Sequence, residues 1–101
     1  MVASQKVLDA LRDIGLNLYE RKLFVALLAR GTSTAGELSE ISNVPRSRSY
    51  DVLESLASKG FLVAQNSKPL RYVAIEPKEA LTRVNDKLKE NMELTIKKIE
   101  Q

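Results

Sequence analysis

Two arginines, Arg46 and Arg48, lie near the start of an amphipathic segment that runs from residue 45 to about residue 59. An arginine can donate two parallel hydrogen bonds to the O6 and N7 atoms of guanine, or it can contact a backbone phosphate. Four smaller polar side chains accompany the arginines: Ser47, Ser49, Asp51 and Ser55. This combination is typical of a helix that enters the major groove of DNA.

A helical period of about 100° per residue separates two sides of this segment. One side is apolar and is expected to face a core: Tyr50, Leu53, Leu56 and Ala57. The opposite side is polar and is expected to be free: Ser47, Arg48, Asp51, Ser55 and Ser58. We therefore predict that Arg48 contacts base edges, whereas Arg46, nearer the core stripe, contacts a phosphate. The alternative is an ordinary surface helix on which Arg48 pairs with Asp51.

Pro45 suits the first position of this helix, because a proline there loses no hydrogen bond. The residue before it, Val44, cannot cap a helix with its side chain. We therefore expect the other amides of the first turn to be open to a phosphate oxygen.

The excess positive charge of the chain is concentrated in one segment. Residues 45–71 include five basic and two acidic residues, whereas the rest of the chain has eleven of each, and its charges cancel. A protein that neutralises phosphates gains affinity by releasing counterions, so this distribution favours DNA as the partner. The alternative is chance clustering in a mildly basic protein.

The composition indicates one small domain and excludes several kinds of chemistry. The chain has 101 residues, of which 44% are hydrophobic, and it contains no cysteine and no histidine. Disulfides, thiolate chemistry, zinc fingers and imidazole bases are therefore excluded. No nucleophile–base pair, glycine-rich phosphate loop or carboxylate cluster can be assembled, so we predict no enzymatic activity, no catalytic residue, no metal and no cofactor.

Apolar stretches in this chain are short. The run from residue 24 to 29 cannot span a bilayer, and residues 1–5 lack the profile of a secretory signal. We expect a cytoplasmic protein without a membrane partner.

Three helical segments are predicted before the Arg46/Arg48 helix. The first is predicted over about residues 4–14 and ends at Gly15. The second starts after Asn17, which forms a capping-box signature with Glu20, and continues to Gly31. Its buried stripe is predicted to hold Leu23, Phe24, Leu27 and Leu28.

Thr34 and Glu37 repeat the capping signature and open a short third helix. Its apolar residues are Ala35, Leu38 and Ile41, and Asn43 is predicted to end it in a left-handed turn. This helix and the Arg46/Arg48 helix form a predicted helix-turn-helix, in which the first helix supports the second across the groove.

A β-hairpin is predicted after Gly60, because branched and aromatic residues at 61–65 and 70–75 flank a polar tip. A hairpin that directly follows a recognition helix is a wing. Lys68 at its tip and Arg71 just beyond could contact a neighbouring phosphate or the minor groove. The alternative for Lys68 is a simple solvated side chain, and Tyr72 is expected in the core or at a hinge.

A long helix is predicted from Pro77 to the end of the chain. Its apolar side chains recur at an average spacing of about 3.6 residues, which is the period of a straight helix rather than the 3.5-residue period of a coiled coil. A short antiparallel or bundle-like contact is therefore expected rather than a long coiled coil. We predict that residues 77–101 form a homodimer and that residues 1–76 form the DNA-binding domain. The candidate interface consists of Leu81, Val84, Leu88, Asn91, Met92, Ile96 and Ile99. Alternatively, the helix folds back onto its own domain or leads to a further sensor domain.

An ordered set of short motifs is similar to one family. The set comprises residues 11–16, 19–20, 34–38, 44–48 with Tyr50 and Leu53, 59–60, 69–72 and Pro77. It resembles the winged-helix domain of TrmB-type transcriptional regulators, found mainly in archaea, over roughly residues 7–81. The resemblance implies a sequence-specific DNA-binding domain, usually dimeric, that acts as a repressor or activator with residues 46–50 in the major groove. Larger members carry a C-terminal sugar sensor, but this chain stops at Gln101, so we expect no small-molecule effector.

Gly36, in the first turn of the third helix, lowers helix stability but permits close approach of another chain or of DNA.

The predicted fold is mainly α with a small β-hairpin, a winged helix-turn-helix followed by a long C-terminal helix. The predicted function is a dimeric, sequence-specific regulator that binds double-stranded DNA, with residues 45–59 in the major groove and the wing, residues 61–75, on the backbone or minor groove. The candidate DNA contacts are Thr34, Pro45, Arg46, Ser47, Arg48, Ser49, Asp51, Ser55, Lys68 and Arg71. The alternative is a winged-helix protein–protein interaction module, although the exposed face of the Arg48 helix is neither apolar nor acidic in sequence.

Overall fold

The computed structural model describes residues 5–101, except for the side chains of Val7, Pro77 and Val84. The helices and strands are, in order, α1 (Gln5–Asp13), α2 (Leu18–Arg30), β1 (Ser33–Thr34), α3 (Ala35–Ser42), α4 (Arg46–Ser58), β2 (Leu62–Gln65), β3 (Arg71–Ala74) and α5 (Pro77–Glu100). This order confirms the predicted helix-turn-helix, wing and long C-terminal helix. The predicted start of the first helix at Ser4 lies outside the described residues.

Two capping boxes determine where α2 and α3 begin. At α2 the Glu20 amide donates to Asn17 Oδ1 at 2.9 Å, and the Asn17 amide donates to Glu20 Oε1 at 2.9 Å. At α3 the Thr34 amide donates to Glu37 Oε1 at 2.9 Å, and the Glu37 amide donates to Thr34 Oγ1 at 3.3 Å. Each pair satisfies two amides that the helix itself cannot satisfy, which confirms both predicted helix starts.

The turn between α3 and α4 is closed by Asn43, whose φ of 61° and ψ of 22° are left-handed, as predicted. The Ser39 hydroxyl donates to the Val44 carbonyl oxygen at 2.7 Å, and Val44 is buried. The turn therefore delivers α4 at a fixed angle to α3.

The buried side of α4 differs from the prediction. Ser49, Val52, Leu53 and Leu56 are buried, whereas Tyr50 is 51% exposed and Ala57 is also exposed. The prediction for Tyr50 and Ala57 was therefore wrong. α4 packs against both α2 and α3, and the resulting buried stripe is centred near Val52, Leu53 and Leu56. Ser49 fits this close packing because its hydroxyl donates to the Pro45 carbonyl oxygen at 3.1 Å.

Two apolar residues assigned to the core stripes lie at the surface instead. Leu28 is 43% exposed and Ile41 is 48% exposed, so the expected burial of both was wrong. Both stand at the edge of their stripe, and tertiary packing covers only its centre. The other predicted members, such as Leu23, Phe24 and Leu38, are buried.

The wing is one part of a three-stranded antiparallel sheet with the order β1-β3-β2. In the hairpin, Leu62 pairs with Ala74 and Gln65 pairs with Arg71. β1 was not predicted, because a strand of two residues carries no periodicity. It pairs Thr34 with Arg71, so the residue that caps α3 is also bonded to the wing through its strand. The wing is thus connected to the helix-turn-helix at the N-terminal end of α3.

The core is built around two aromatic rings. Phe24 of α2 and Phe61, at the start of the hairpin, meet edge to face with centroids 5.4 Å apart. Leucines from α2, α3 and α4 surround them, and Tyr72 is 8% exposed, which confirms its predicted core position. Burial raises the pKa of Tyr72, with smaller contributions from Tyr50 and Glu54.

α5 follows the body of the domain over its first turns and then extends beyond it. Ala80 is fully buried, and the Lys87 amino group lies 3.5 Å from the Ser58 carbonyl oxygen. A cleft of about 340 Å³ separates Leu88 and Asn91 of α5 from Ile14 and Phe61. The described side chains after this point are exposed.

A buried carboxylate joins α2 to α4. The side chain of Glu20 is 1% exposed and accepts hydrogen bonds from the Ser55 hydroxyl at 2.7 Å and from the Lys59 amino group at 2.9 Å. Burial raises the pKa of this carboxyl, but the hydrogen bonds from the Asn17 amide, Lys59 and Ser55 and the charge of Lys59 outweigh it. The net result is a pKa below 4.5.

We expect Glu20→Gln to lower the free energy of unfolding by about 1–3 kcal/mol at pH 7, because the charged hydrogen bonds are lost. Because the pKa of Glu20 is lower in the folded state, its ionised carboxylate stabilises the folded protein fully at pH values above the unfolded pKa of about 4.5. This contribution to the free energy of unfolding disappears as the pH falls through the folded pKa. The difference between wild type and variant should therefore narrow on acidification, as measured by urea unfolding at pH 7 and pH 3. Glu90→Gln, on exposed α5, is the matched control. A difference that stays constant with pH would contradict this role of Glu20.

Candidate DNA-binding surface

The start of α4 lacks a side-chain cap. Pro45 is the N-cap rather than the first helical residue, so α4 begins one residue later than predicted. Among the described residues no side chain bonds to the first-turn amides. The first backbone bonds run from the amides of Arg48 and Ser49 to the Pro45 carbonyl oxygen, at 2.9 and 3.0 Å. The amides of Arg46 and Ser47 therefore precede the first hydrogen-bonded turn and point out of the helix end. Such amides can bind an anion.

The exposed face of α4 has a centre and two flanks. Ser47, Asp51, Glu54 and Ser58 are exposed and lie opposite the buried stripe. Arg46 and Tyr50 lie on the flank toward α3 and the wing. Arg48 lies on the other flank, toward α2. The two arginines are therefore on opposite sides of the helix, about 200° apart around its axis.

Arg48 rests on an aromatic ring of α2. Its guanidinium carbon lies 5.6 Å from the centroid of the Tyr19 ring, within the range of a cation–π contact. None of the ion pairs among the described residues joins Arg48 to Asp51, so the alternative of an i, i+3 salt bridge is not realised. Sequence reasoning missed Tyr19, since the contact joins residues far apart in the chain.

Arg46 packs on the first turn of α3. A Cβ atom at Gly36 would stand 3.3 Å from the guanidinium carbon of Arg46. Beside this contact is a depression of about 150 Å³, bounded by Tyr50 of α4, by Thr34 and by Leu70 of the wing. Arg46 and the wing thus border one concave surface.

Three of the candidate DNA contacts are occupied within the domain. Ser49 is fully buried and so does not belong to the exposed face. Ser55 is half-buried because its hydroxyl donates to Glu20, and Thr34 is half-buried as the cap of α3. The remaining candidates are exposed: Pro45, Arg46, Ser47, Arg48, Asp51, Lys68 and Arg71.

The wing carries its two basic residues outward. Lys68 lies in the loop between β2 and β3, and Arg71 is the first residue of β3. The loop is held by its own bonds: the Ser67 amide donates to the Gln65 carbonyl oxygen at 2.8 Å, and the Ser67 hydroxyl donates to the Pro69 carbonyl oxygen at 2.9 Å. Both cations are exposed, and their chain neighbours Pro69 and Leu70 line the depression that Arg46 borders.

Sequence reasoning also missed the acidic component of this surface. Asp51 and Glu54 are both exposed at the centre of the α4 face, and only Asp51 was among the candidates. The helical period applied to the observed stripe would have identified Glu54, but the predicted stripe was rotated toward Tyr50. A carboxylate can accept a hydrogen bond from the cytosine amino group, and it repels phosphate.

The candidate dimer residues on α5 are exposed where the structure describes them. Leu81, Leu88, Asn91, Met92, Ile96 and Ile99 all have exposed side chains, and the side chain of Val84 lies outside the described part. Leu94 is exposed as well but lies on a different side of the helix.

Within residues 5–101, no group of three or more acidic side chains is arranged to hold a metal ion. None of the described helices is both long enough and apolar enough to cross a membrane.

Comparison with known proteins identifies the family. The family model described as "Sugar-specific transcriptional regulator TrmB" matches residues 11–78. The chain belongs to the TrmB family. It is 42% identical over 82 residues to a putative HTH-type transcriptional regulator, TrmBL2, of Pyrococcus furiosus, and 40% identical over 82 residues to a DNA-binding HTH-type transcriptional repressor, TrmBL2, of Thermococcus kodakarensis. Each match covers 77% of this chain.

The TrmB fold is also seen in solved structures. The structure of TrmBL2, described as an archaeal chromatin protein that shows a novel mode of DNA binding, superposes with a TM-score of 0.80 at 36% identity and covers 97% of this chain. The chain spans 31% of the length of each of the two TrmBL2 relatives and 40% of the solved chain. All three are regulators or DNA-binding proteins rather than enzymes, in agreement with the prediction.

We expect Glu54→Gln to raise the affinity for a mixed-sequence DNA duplex by about two- to fivefold at low salt, because it removes one negative charge from the exposed face of α4 and negative charge repels phosphate. The gain should shrink as salt is added. Fluorescence anisotropy with a labelled duplex measures both effects, and Asp13→Asn at the end of α1 is the matched charge control. A loss of affinity confined to duplexes with one particular base would instead assign Glu54 to base recognition.

Proposed function

We propose that this TrmB-family chain binds double-stranded DNA in a sequence-specific manner as part of a transcriptional regulator. α4 would enter the major groove, and the wing, residues 61–75, would lie on the adjacent backbone or minor groove. The observation that carries the proposal is the exposed face of α4, which has an uncapped N-terminus and one arginine on each flank. The TrmBL2 relative of Thermococcus kodakarensis, which is named as a DNA-binding transcriptional repressor, supports the same partner over a protein-interaction module.

Arg48 is proposed to contact base edges. Its contact with Tyr19 is an exposed cation–π interaction, worth about 0.5–1 kcal/mol. A bidentate arginine–guanine pair is worth about 1–3 kcal/mol of discrimination. The contact with Tyr19 is therefore weak enough that Arg48 would be able to leave the ring and reach a guanine, starting from its place at the edge of the α4 face.

The backbone phosphates would be bound by the surrounding cations and amides. Arg46 and the amides of Arg46 and Ser47 lie at the leading end of α4, while Lys68 and Arg71 lie on the wing. Of these groups, Arg46 lines the concave surface beside Tyr50, and the wing contributes Pro69 and Leu70 to the same surface. Phosphate contacts fix the register of a protein on the duplex but carry no sequence information.

A second candidate is sequence-independent binding, which the description of TrmBL2 as a chromatin protein favours. In this case all the cations of the surface would contact phosphates. The two candidates differ in the ratio of specific to non-specific affinity. Selection of duplexes from a random library, at a fixed salt concentration, measures that ratio directly.

We expect Arg48→Ala to lose about 1–3 kcal/mol of binding free energy on the selected duplex and to lose preference at one base position. Lys68→Ala should weaken binding to all duplexes alike and lower the slope of log affinity against log salt by about one. The measurement is anisotropy on selected and scrambled duplexes, with Arg12→Ala on α1 as the matched control. Equal losses for Arg48→Ala on every duplex would assign it to a phosphate and favour the chromatin-type candidate.

We further propose that α5 forms a two-fold homodimer, with residues 1–76 as the DNA-binding domain. The apolar side chains of Met92, Ile96 and Ile99 are 50–77% exposed along one side of the helix, beyond the contacts that its first turns make with the body. A second copy of the same helix has the matching stripe. Such a dimer would present two α4 helices to successive major grooves. A regulator of this kind acts on the chromosome, so we propose a cytoplasmic location.

We expect Met92→Glu combined with Ile99→Glu to convert the dimer into a monomer, because four charges would be buried in a symmetric interface. Sedimentation velocity measures the change. Leu94→Glu is the matched control, since Leu94 is 51% exposed on another side of α5. A double variant that sediments like the wild type would exclude this interface.

A further inference from the structure

Gly36, the second residue of α3, is in contact with the first residue of α4. A Cβ atom built on Gly36 would lie 3.3 Å from both the Cζ and an Nη atom of Arg46, and 3.5 Å from the other Nη atom. The whole planar end of the arginine therefore covers the glycine. The two shorter distances are tighter than ordinary van der Waals contact, so a Cβ atom at position 36 would shift the guanidinium by a few tenths of an ångström, and a larger side chain would shift it further.

The backbone of Gly36 does not itself require glycine. The described glycines with positive φ are Gly15, Gly31 and Gly60, whereas Gly36 lies within α3. Alanine stabilises a helix more than glycine does, so glycine at this position lowers the stability of α3. What glycine provides here is space, and Arg46 fills that space.

Arg46 has few other restraints. Its side chain is exposed, and none of the ion pairs among residues 5–101 includes it. An exposed arginine is free to adopt many rotamers, and their loss opposes binding. Contact with a flat patch of backbone restricts the guanidinium before DNA arrives.

We infer that Gly36 is a positioning residue for Arg46, which holds the guanidinium against α3 in the direction of a DNA phosphate. The inference rests on the proposed function, since it assigns how one phosphate contact is formed. It also replaces the expectation that Gly36 permits another chain or DNA itself to approach. The positioned guanidinium then belongs to one continuous surface formed by α3, α4 and the wing, because Arg46, Tyr50 and Leu70 line the same depression.

The test is a series of variants, Gly36→Ala and Gly36→Leu, each in the wild-type background and together with Arg46→Ala. Anisotropy on one mixed-sequence duplex, at several salt concentrations, gives the affinity and the salt slope. We expect Gly36→Ala to lower affinity about two- to fivefold and Gly36→Leu about tenfold, with a reduced salt slope. Arg46→Ala should lower the slope by about one, and in its background neither glycine variant should lower affinity further.

Thermal unfolding separates positioning from damage to the fold. Because alanine favours helix, Gly36→Ala should keep or raise the melting temperature while it weakens DNA binding. A residue with a purely structural role would not be expected to weaken DNA binding while the melting temperature stays the same or rises. If Gly36→Leu unfolds the domain, the test is made by comparing Gly36→Ala in the wild-type background with Gly36→Ala combined with Arg46→Ala.

Two results would overturn the inference alone. The first is an equal loss for the glycine variants with and without Arg46, which would mean that Gly36 acts by direct approach to DNA. The second is full affinity in folded Gly36→Ala and Gly36→Leu proteins while Arg46→Ala is weakened, which would leave the proposed function intact. Absence of salt-dependent duplex binding by the wild type would overturn the proposed function and this inference together.

Discussion

The position of α4 depends on the burial of one of its sides against α2 and α3. Val52, Leu53 and Leu56 supply the apolar contact, and the buried carboxylate of Glu20 adds a polar one through Ser55 and Lys59. The carboxylate also closes the capping box of α2, so one side chain determines where α2 begins and where the second half of α4 lies. Everything that faces outward on α4 follows from this packing.

The proposed DNA surface is arranged by contacts between neighbouring elements rather than by α4 alone. Tyr19 of α2 holds Arg48 on one flank, and Gly36 of α3 holds Arg46 on the other. Both contacts are weak compared with the bonds an arginine makes to guanine or phosphate, so they orient the side chains without competing strongly for them. If α4 binds DNA as proposed, the acidic centre of the face would lower non-specific attraction, because carboxylates repel phosphates, and would favour discrimination over bulk affinity.

The wing and α5 extend this surface in two directions. β1 pairs with β3, so the strand that leads into the cap of α3 also holds the hairpin beside the N-terminal end of α3. α5 leaves the body after its first turns with an apolar stripe in solvent. Exposure of an apolar stripe to water is unfavourable; in the proposed homodimer a symmetric copy would cover the stripe and double the proposed DNA surface.

Local signals in the sequence determined where α2 and α3 begin and where α3 ends. Asn17 with Glu20, Thr34 with Glu37, and Asn43 each act within a few residues, because a cap or a left-handed turn depends on neighbours in the chain. Periodicity likewise sufficed for the helices and the hairpin. Only the tertiary structure decided the rotation of α4, the surface positions of Tyr50 and Ile41, the pairing of β1 and the contacts of both arginines. These depend on which neighbour covers which side, and the relevant pairs, such as Tyr19 with Arg48, are far apart in the chain and share no sequence pattern.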